Sequence, residues 1–311
     1  MTSAFIFPGQ GSQFVGMGQD LYATFSEAKA VFQEVDESLG QNLSKIMFEG
    51  AQSDLNMTEN TQPALMAVSM AVIRVLESQG NLDLSKACSY VAGHSLGEYS
   101  ALTAAGSFDL ATTAKLLKLR GQAMQKAVPL GEGSMAAILG LPLEDVQAIA
   151  LAASVEGVCQ CANDNSVGQV VVSGHKGAIE AAIALATEKG AKRAVLLPVS
   201  APFHCSLMDP AAEIMAEALA AAEIKAPVVP VVSNVTAQGE SDPDRIRALL
   251  VEQITGMVRW RESVLWMKGQ GVEKMNEIGA GKVLCGLIRR IDRDISYQNA
   301  GTPEQIEALI S

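Results

Sequence analysis

The chain has 311 residues, of which 49% are hydrophobic and 18% are charged, and its formal net charge is −11. These values describe a globular chain with enough apolar residues for a large core, arranged as one domain with an insertion or as two domains. The negative charge argues against a nucleic-acid partner, because a phosphate-binding surface needs a basic excess.

No feature of the sequence directs the chain to a membrane. It has no apolar run of about eighteen residues, and its first residues lack the basic segment of a signal peptide. Its five cysteines form no C-x-x-C pair and are odd in number, which suits reduced thiols. We therefore expect a cytoplasmic protein with no membrane partner and no disulfide framework.

The first predicted elements are a short strand and a glycine-rich turn. Residues 4–7 are apolar and indicate a buried strand, which runs directly into the turn at residues 8–13. The turn is not a dinucleotide-binding fingerprint, because the third glycine of that motif would fall at Phe14. We expect the turn to bring backbone amides up to a ligand.

Two helices are predicted next. Apolar residues at helical spacing follow Thr24, where Thr24 and Glu27 match a capping box, and Gly40 ends the pattern. Between Gln62 and Gln79 the residues are apolar on nearly every face, which predicts a helix buried between layers. The first helix is expected to be scaffold, and the start of the second could face a pocket.

The glycine pattern around Ser95 predicts a nucleophile elbow. A strand entering from Ala87 reaches Ser95 between Gly93 and Gly97, and these glycines remove the Cβ atoms that would clash in a sharp strand-to-helix turn. Such a turn exposes the serine hydroxyl and places the N–H of Leu96 at a helix N-terminus, where it can donate to an oxyanion. An ordinary serine at a glycine-punctuated corner is the alternative, and the short motif alone does not decide between them.

The order of the later elements predicts an insertion. Beyond the elbow we predict helices at 109–128, 143–153, 176–189, 207–222, 243–255, 260–269 and 282–291, and strands at 135–139, 158–162, 169–173, 193–197, 229–232 and 274–277. Between residues 129 and 198 the order is β-α-β-β-α-β, which is typical of a ferredoxin-like unit. We therefore predict an α/β fold with an α/β-hydrolase-like core and a parallel sheet, spanning 1–128 and 199–311, and an inserted ferredoxin-like subdomain at 129–198.

A serine hydroxyl is a weak nucleophile until a base takes its proton, so the elbow needs a suitable histidine. The chain has three histidines. His94 adjoins Ser95 and should point away from it, and His175 lies in a turn of the insertion, where we expect an exposed side chain. His204 lies in a loop stiffened by two prolines at the return to the core, so we take it as the base; taken alone, a structural role for it is equally well supported.

The acidic member of a triad has no clear candidate. In the hydrolase order of Ser, then Asp or Glu, then His, only Asp164 is worth considering. We therefore favour a Ser–His dyad. Some other acceptor must then hold the imidazole tautomer, and a backbone carbonyl would serve.

Seven motifs in a fixed order carry a resemblance that covers essentially the whole chain. They are Phe7-Pro8-Gly9-Gln10-Gly11-Ser12-Gln13, Thr61-Gln62-Pro63-Ala64-Leu65, Gly93-His94-Ser95-Leu96-Gly97-Glu98, Arg120-Gly121, Gly168-Gln169-Val170-Val171, Pro198-Val199-Ser200 with His204, and Gly281-Lys282-Val283-Leu284. With these motifs the chain resembles the malonyl-CoA:acyl-carrier-protein transacylases of bacterial fatty acid synthesis, of the FabD type.

The resemblance implies catalytic roles for five residues. Ser95 would be the acylated nucleophile and His204 its base. The N–H groups of Gln10 and Leu96 would form the oxyanion hole. Gln253 matches the family position whose backbone carbonyl orients the histidine.

The resemblance also implies substrate-binding residues. Arg120 would bind the malonyl carboxylate, and Gln62, Asn165 and Phe203 would contact the substrate. From the residues alone, a single arginine on a mostly apolar helix is usually solvated. A substrate with a free carboxylate nevertheless needs a planar, bidentate partner inside the pocket, and arginine meets that need better than lysine.

The implied activity is a ping-pong transfer from malonyl-CoA, through a malonyl-serine, to the phosphopantetheine thiol of acyl carrier protein. Neither a cofactor nor a metal is expected. An esterase or thioesterase on the same elbow is the alternative, against which the missing acid and the cationic clamp argue. A non-catalytic docking subunit is a third hypothesis, against which the intact Ser95, His204 and Arg120 argue.

Binding of a carrier protein, which the resemblance implies to be acidic, requires local basic patches on this negatively charged chain. Two clusters stand out, one of Lys282, Arg289 and Arg290 on a late helix and one of Lys189, Lys192 and Arg193 at the end of the insertion. We expect the carrier to dock at the cleft that both clusters border.

Overall fold

Strands of two separate sheets alternate with helices along the chain, which the computed structural model describes over residues 2–199 and 201–310. The strands are β1 (Thr2–Phe7), β2 (Tyr90–Gly93), β3 (Gly133–Leu139), β4 (Cys159–Ser166), β5 (Gln169–His175), β6 (Arg193–Leu196), β7 (Val231–Val232), β8 (Gly239–Glu240), β9 (Val272–Ile278) and β10 (Ser296–Ala300). The helices are α1 (Gln19–Thr24), α2 (Ser26–Leu39), α3 (Leu43–Glu49), α4 (Gln52–Leu55), α5 (Thr58–Gln79), α6 (Leu84–Ala87), α7 (Gly97–Ala104), α8 (Leu110–Lys126), α9 (Leu143–Ala153), α10 (Lys176–Glu188), α11 (Asp209–Ala221), α12 (Pro243–Glu252), α13 (Trp260–Gly269), α14 (Val283–Ile291) and α15 (Pro303–Ile310).

The larger sheet has the strand order β10-β9-β1-β2-β7-β8. Its neighbouring strands are parallel except at the β7–β8 edge, so the predicted parallel sheet is confirmed. Parallel strands bring their carboxyl ends to one edge of a sheet, where α/β proteins bind ligands. The turn at residues 8–13, which follows β1, and the turn around Ser95, which follows β2, therefore lie side by side.

The smaller sheet is antiparallel, with the order β4-β5-β3-β6. The predicted β-α-β-β-α-β succession is confirmed as β3-α9-β4-β5-α10-β6. The alternating apolar residues of the strands meet the apolar faces of α9 and α10 in a core of their own, which includes Ile138, Val146, Val172 and Ile179.

Backbone hydrogen bonds join the smaller sheet to the segment before α13. The N–H of Val258 donates to the carbonyl of Ala162 (2.8 Å), and the N–H of Asp164 donates to the carbonyl of Val258 (2.9 Å). The buried carboxylate of Asp164 then pairs with Arg261 Nε at 2.8 Å. The smaller sheet is thus bound at β4 to the segment that leads into α13 and to the start of that helix.

The main predicted helices and strands are confirmed with shifted ends. The prediction missed β8, β10 and α15, together with the short helices α1, α3, α4 and α6. These are short segments, and short segments carry too few periods for a clear hydrophobic pattern. The strand predicted at 158–162 continues to Ser166 as β4.

The capping box predicted at Thr24 and Glu27 is wrong. Helix α2 begins at Ser26, and Thr24 ends α1. The Glu27 carboxylate accepts from the hydroxyls of Ser26 (2.9 Å) and Ser78 (2.5 Å), so a tertiary contact takes the place of the local cap. Gly40 ends α2 as predicted, with φ 58°.

Two further observations concern the chain as a whole. All five cysteines are free, and four of them are buried. Within residues 2–199 and 201–310, no helix is long and apolar enough to cross a membrane.

Candidate active site

The turn between β2 and α7 holds Ser95 in a left-handed backbone conformation, with φ 53°. The two flanking glycines are required by close backbone contacts. A Cβ at Gly93 would lie 1.9 Å from the Gly97 carbonyl carbon, and a Cβ at Gly97 would lie 2.3 Å from the carbonyl oxygen of Phe7. The sequence pattern therefore forms the predicted sharp strand-to-helix corner. Ser95 itself adopts a strained left-handed backbone conformation there, although it is not a glycine.

Two side chains from distant parts of the chain hold the Ser95 backbone in place. The Ser95 N–H donates to Asn234 Oδ1 (2.7 Å), and its carbonyl accepts from Gln253 Nε2 (3.0 Å). Asn234 Nδ2 also donates to the carbonyl of Gly93 (2.6 Å). Because a left-handed non-glycine residue costs about 1–3 kcal/mol, these bonds offset a strain at the centre of the site.

Ser95 and His204 are in hydrogen-bond contact. The Ser95 Oγ and His204 Nε2 atoms are 2.8 Å apart, and His204 Nδ1 lies 2.8 Å from the carbonyl oxygen of Gln253. A carbonyl oxygen only accepts hydrogen bonds, so Nδ1 carries the proton and the lone pair of Nε2 faces the serine hydroxyl. This is the tautomer that a general base requires.

Burial keeps the His204 ring neutral. The residue is only 4% exposed, and desolvation, helped by the nearby positive charge of Arg120, lowers the pKa of His204 to about 3. The imidazole is therefore in its proton-accepting form throughout the physiological pH range.

The other candidates from the sequence lie in different surroundings. Asp164 pairs with Arg261 rather than with His204. His94 Nε2 lies 2.8 Å from Asn165 Oδ1. His175, which was predicted to be exposed, is half-buried, and its Nδ1 accepts from the backbone N–H of Val158, just before β4.

Arg120 is buried at the centre of the site, with 1% of its surface exposed. Its Nη1 donates to Gln62 Oε1 (2.8 Å), and its Nη2 donates to Gln253 Oε1 (2.9 Å) and to Ser95 Oγ (3.2 Å). Its Cζ lies 5.7 Å from the ring centre of Tyr99. These three bonds use three of the five N–H donors of the guanidinium, so donors remain for a further anion.

Glu98 places a carboxylate in the first turn of α7, where it is 2% exposed. Its Oε2 accepts from the N–H of Asn234 (3.0 Å) and from Gln253 Nε2 (2.7 Å). Burial, which outweighs the opposing hydrogen bonds and the charge of Arg120, raises the pKa of Glu98 to about 7.

A cavity of about 110 Å³ adjoins the serine, and its walls contain most of the predicted site residues. These predicted residues are Gln10, Gln62, Ser95, Leu96, Arg120, Phe203 and His204. Asn163 lines this cavity, whereas the side chain of Asn165 contacts His94. A second cavity of about 760 Å³ shares Gln10 and Val199 with the first.

The backbone N–H groups of Gln10 and Leu96 are free to bind a ligand. Neither donates a hydrogen bond to another of the described residues. Both residues line the cavity that contains the Ser95 hydroxyl. Ser200, which belongs to one of the sequence motifs, lies outside the described residues.

Glu98 and Asn234 were not predicted as site residues. Glu98 is the one charged residue of α7, an otherwise uncharged and buried helix, and that isolation was the available signal. Asn234 follows β7 at the carboxyl edge of the sheet, where polar residues are often functional, but β7 is too short to reveal this position. Among the described residues, no cluster of His, Cys, Asp or Glu is suited to a metal ion.

Comparison with known proteins identifies relatives along the whole chain. Residues 4–280 match the model of the acyl transferase domain. The chain is 45% identical over 308 residues to the malonyl CoA-acyl carrier protein transacylase of Bacillus subtilis (strain 168), a match that covers 99% of this chain and 96% of that protein.

Solved structures give the same result. The acyl-carrier-protein-S-malonyltransferase of Bartonella henselae has a TM-score of 0.98 and 57% identity, covering 100% of this chain and 98% of that one. A malonyl-transacylase solved in complex with its type II PKS acyl-carrier protein has a TM-score of 0.96 and 41% identity, covering 100% and 99%. The chain therefore belongs to the acyl transferase domain family.

Proposed function

We propose that the chain transfers the malonyl group of malonyl-CoA to the phosphopantetheine thiol of acyl carrier protein, by way of a malonyl-serine at Ser95. It thereby supplies the malonyl-loaded acyl carrier protein that is used in fatty acid elongation. Relatives named for this activity match nearly the full chain, and one solved neighbour is bound to an acyl-carrier protein. Malonyl-CoA and acyl carrier protein are accordingly its partners.

The first half-reaction acylates the serine. His204 Nε2 takes the hydroxyl proton of Ser95 as Oγ forms a bond to the thioester carbonyl carbon. The N–H groups of Gln10 and Leu96 stabilise the negative charge that develops on the carbonyl oxygen. The carbon–sulfur bond then breaks, and His204 gives its proton to the departing sulfur of coenzyme A.

The second half-reaction reverses these roles. The carrier's thiol gives its proton to His204 and attacks the ester carbonyl of the malonyl-serine. The same two N–H groups hold the second oxyanion. The bond to Ser95 Oγ breaks, and the serine recovers its proton from His204.

The single observation that carries the proposal is the position of Arg120. Its guanidinium is almost fully buried and donates to the oxygen that would be acylated, at 3.2 Å. A cation is costly to bury unless an anion pairs with it, and the free carboxylate of a short acyl chain on Ser95 would supply that anion. A hydrolase acting on uncharged esters gains nothing from this arrangement.

The two cavities suit the two parts of such a thioester. The cavity of about 110 Å³ beside Ser95 has room for a short acyl group only. The adjoining cavity of about 760 Å³, which shares Gln10 and Val199 with it, is large enough for a pantetheine arm. Gln62 and Phe203 would contact the acyl group in the smaller cavity. Asn165, predicted to contact the substrate, would instead affect it through His94, which its side chain contacts.

We also propose that the chain is built as an α/β-hydrolase-like core of residues 1–128 and 199–311 with a ferredoxin-like subdomain inserted at 129–198, and that it works in the cytoplasm. The antiparallel order β4-β5-β3-β6 and the separate apolar core around Ile138 and Val172 support the inserted unit. The parallel sheet and the sharp turn at Ser95 support the hydrolase-like core.

A stopped reaction with radiolabelled malonyl-CoA tests the proposal. Label should appear on the wild-type protein and move to added carrier, and Ser95→Ala should take up none. His204→Ala should lower the rate on the order of 10²–10⁴-fold, the usual contribution of a positioned base. Release of free malonate in place of transfer would indicate a thioesterase, and a wild-type protein that is never labelled would indicate a docking subunit.

A further inference from the structure

Glu98 is a buried carboxylate with no part in the acyl-transfer steps described above. It is 2% exposed, and its Oε2 accepts two hydrogen bonds, from the Asn234 N–H and from Gln253 Nε2. A charged group in the core is expensive unless it is hydrogen-bonded, so its presence in an otherwise uncharged helix calls for a reason.

The carboxylate of Glu98 and the carbonyl of Ser95 together determine which way the Gln253 side-chain amide points. Gln253 Nε2 faces Glu98 Oε2 at 2.7 Å and the carbonyl oxygen of Ser95 at 3.0 Å, with Asn234 Oδ1 farther away at 3.5 Å. The carbonyl oxygen of Ser95 can only accept, and Glu98 Oε2 already accepts from the Asn234 N–H, so the donor end of the amide must face them. The opposite end, Oε1, is then directed at Arg120 Nη2, at 2.9 Å. A reversed amide would set oxygen against oxygen on one side and N–H against N–H on the other.

The orientation of this amide in turn fixes Arg120. The guanidinium is held at two points, by Gln62 Oε1 on Nη1 and by Gln253 Oε1 on Nη2. Loss of the second point would leave the guanidinium free to rotate about the first and away from Ser95 Oγ. Bidentate recognition of a carboxylate depends on the plane of the guanidinium, so the orientation matters as much as the charge.

We propose that Glu98 is a positioning residue for selection of acyl groups that carry a free carboxylate: it orients the Gln253 amide, and the amide orients Arg120. The inference rests on the proposed malonyl transfer. It adds a residue that touches neither the substrate nor the reacting atoms, and that acts on the malonyl group through two intermediate side chains.

The test compares kcat/KM for malonyl-CoA and acetyl-CoA in four variants. Glu98→Met keeps the length of the side chain and suits a buried helix, but it removes both acceptors. Glu98→Gln keeps one oxygen that can accept from Asn234 and Gln253. Gln253→Met removes the amide and keeps the backbone carbonyl on His204. Glu277→Gln is the matched control, because Glu277 is also a fully buried carboxylate that accepts two backbone N–H bonds, at the start of α14.

The malonyl-to-acetyl ratio of kcat/KM should fall about ten-fold in Glu98→Met, a change that corresponds to about 1.4 kcal/mol. Gln253→Met should show a similar fall, and combining the two substitutions should add little, because both break one chain of contacts. Glu98→Gln should recover most of the ratio. Glu277→Gln should leave the ratio at its wild-type value even where it lowers the melting temperature.

A purely structural role makes a different prediction. Glu98→Met would then lower both rates equally and leave the ratio unchanged, and that result overturns the inference. If Glu98→Met does not fold, a wild-type ratio in Gln253→Met overturns it equally well. A wild-type protein that shows no preference for malonyl-CoA overturns the proposed function together with the inference, whereas a preference that survives in both Met variants overturns the inference alone.

Discussion

Arg120 has a positive charge in a place that water barely reaches. Its surface is 1% exposed, and its nearest contacts are the uncharged groups of Gln62, Gln253 and Ser95. Burial lowers the pKa of Arg120, but arginine stays protonated in proteins. Among the described residues, no carboxylate is in direct contact with this guanidinium, so the acyl carboxylate would be the first anion to touch it.

Replacing Arg120 should change which acyl group is transferred. Removing one partner of a buried ion pair costs roughly 3–5 kcal/mol, so Arg120→Ala should lower malonyl transfer on the order of 10²–10³-fold. Acetyl transfer should be kept or improved, because an acetyl group leaves the wild-type guanidinium unpaired. Arg120→Lys should rescue only part of the loss, since a point charge lacks the two-pronged geometry.

The deciding measurement is the ratio of kcat/KM for malonyl-CoA over acetyl-CoA in both Arg120 variants. A wild-type ratio in Arg120→Ala would mean that the carboxylate is recognised elsewhere. The melting temperature serves as the control, because a loss of folding reduces both activities together and leaves the ratio unchanged.

The pKa values of His204 and Glu98, which both contact Gln253, are shifted in opposite directions. Burial lowers the pKa of His204 to about 3 and raises the pKa of Glu98 to about 7. Below about pH 6.5 the unfolded chain therefore binds a proton at His204 that the folded chain does not, and the free energy of unfolding decreases as the pH falls further. For Glu98 the sign is reversed, because the folded chain holds this proton more tightly than the unfolded chain does. The free energy of unfolding therefore decreases as the pH rises from about 4.5 to about 7.

The pH dependence of acylation should separate these two groups. In Glu98→Gln, the rate of serine acylation should stay level from about pH 8 to about pH 5, because His204 remains neutral. If the acylation rate of the wild type falls as the pH is lowered through about 7, that fall should be absent from Glu98→Gln. A fall centred near 6.5 that persists in Glu98→Gln would show that His204 titrates as an ordinary, solvated histidine.

At the scale of single elements, the corner between β2 and α7 depends on backbone contacts that no side chain can enter. The Cβ of any residue at position 93 would lie 1.9 Å from the carbonyl carbon of Gly97, which is far inside contact distance. The helix cannot move away, because Gly97 itself lies directly against the carbonyl of Phe7.

Gly93→Ala should therefore lower the free energy of unfolding by about 3 kcal/mol or more and abolish serine labelling. Gly286→Ala is the matched control, because Gly286 is an exposed residue of α14 where an added Cβ meets nothing within 4 Å. Alanine is the better helix former by up to about 1 kcal/mol, so this control should be neutral or stabilising. Urea denaturation of both variants measures the difference, and similar values for the two would contradict the steric argument.

At the scale of the whole molecule, a contact between α14 and the smaller sheet brings the two basic clusters together. Arg290 Nη1 on α14 donates to Gln169 Oε1 at the start of β5 (2.6 Å). Beside it, the N–H of Gly140 donates to the carbonyl of Gly168 (2.8 Å), and Gly140 packs against Lys192. Lys189 is partly neutralised by Asp145, at 2.7 Å.

Charge reversal on α14 should weaken binding of the carrier. Arg289→Glu combined with Arg290→Glu should raise the KM for carrier protein on the order of ten-fold and leave the KM for malonyl-CoA nearly unchanged. Lys86→Glu is the control, because Lys86 is 82% exposed and precedes β2, at the opposite edge of the sheet from Ser95. Equal effects on the two substrates, or an equal effect of the control, would count against docking at this cleft.

Local patterns determined much of this protein. The strand, serine and helix of the elbow lie within a few residues of one another, so the spacing of Gly93, Ser95 and Gly97 was enough to predict the corner. The β-α-β-β-α-β order was equally readable, because each element has its own periodicity. The capping box at Thr24 was predicted wrongly because the Glu27 carboxylate accepts a hydrogen bond from the hydroxyl of Ser78, which is remote in sequence.

Only the tertiary structure decided how the site is held. The sequence resemblance pointed to the Gln253 carbonyl as the acceptor on His204, 49 residues away, but it gave no role to the Gln253 side chain. That side chain reaches Arg120 and the Ser95 carbonyl across separations of 133 and 158 residues. The alignment of β1, β2 and β7 sets these distances through pairing between remote strands, so the position of Glu98 and Asn234 in the site depends on the sheet order and not on any local pattern.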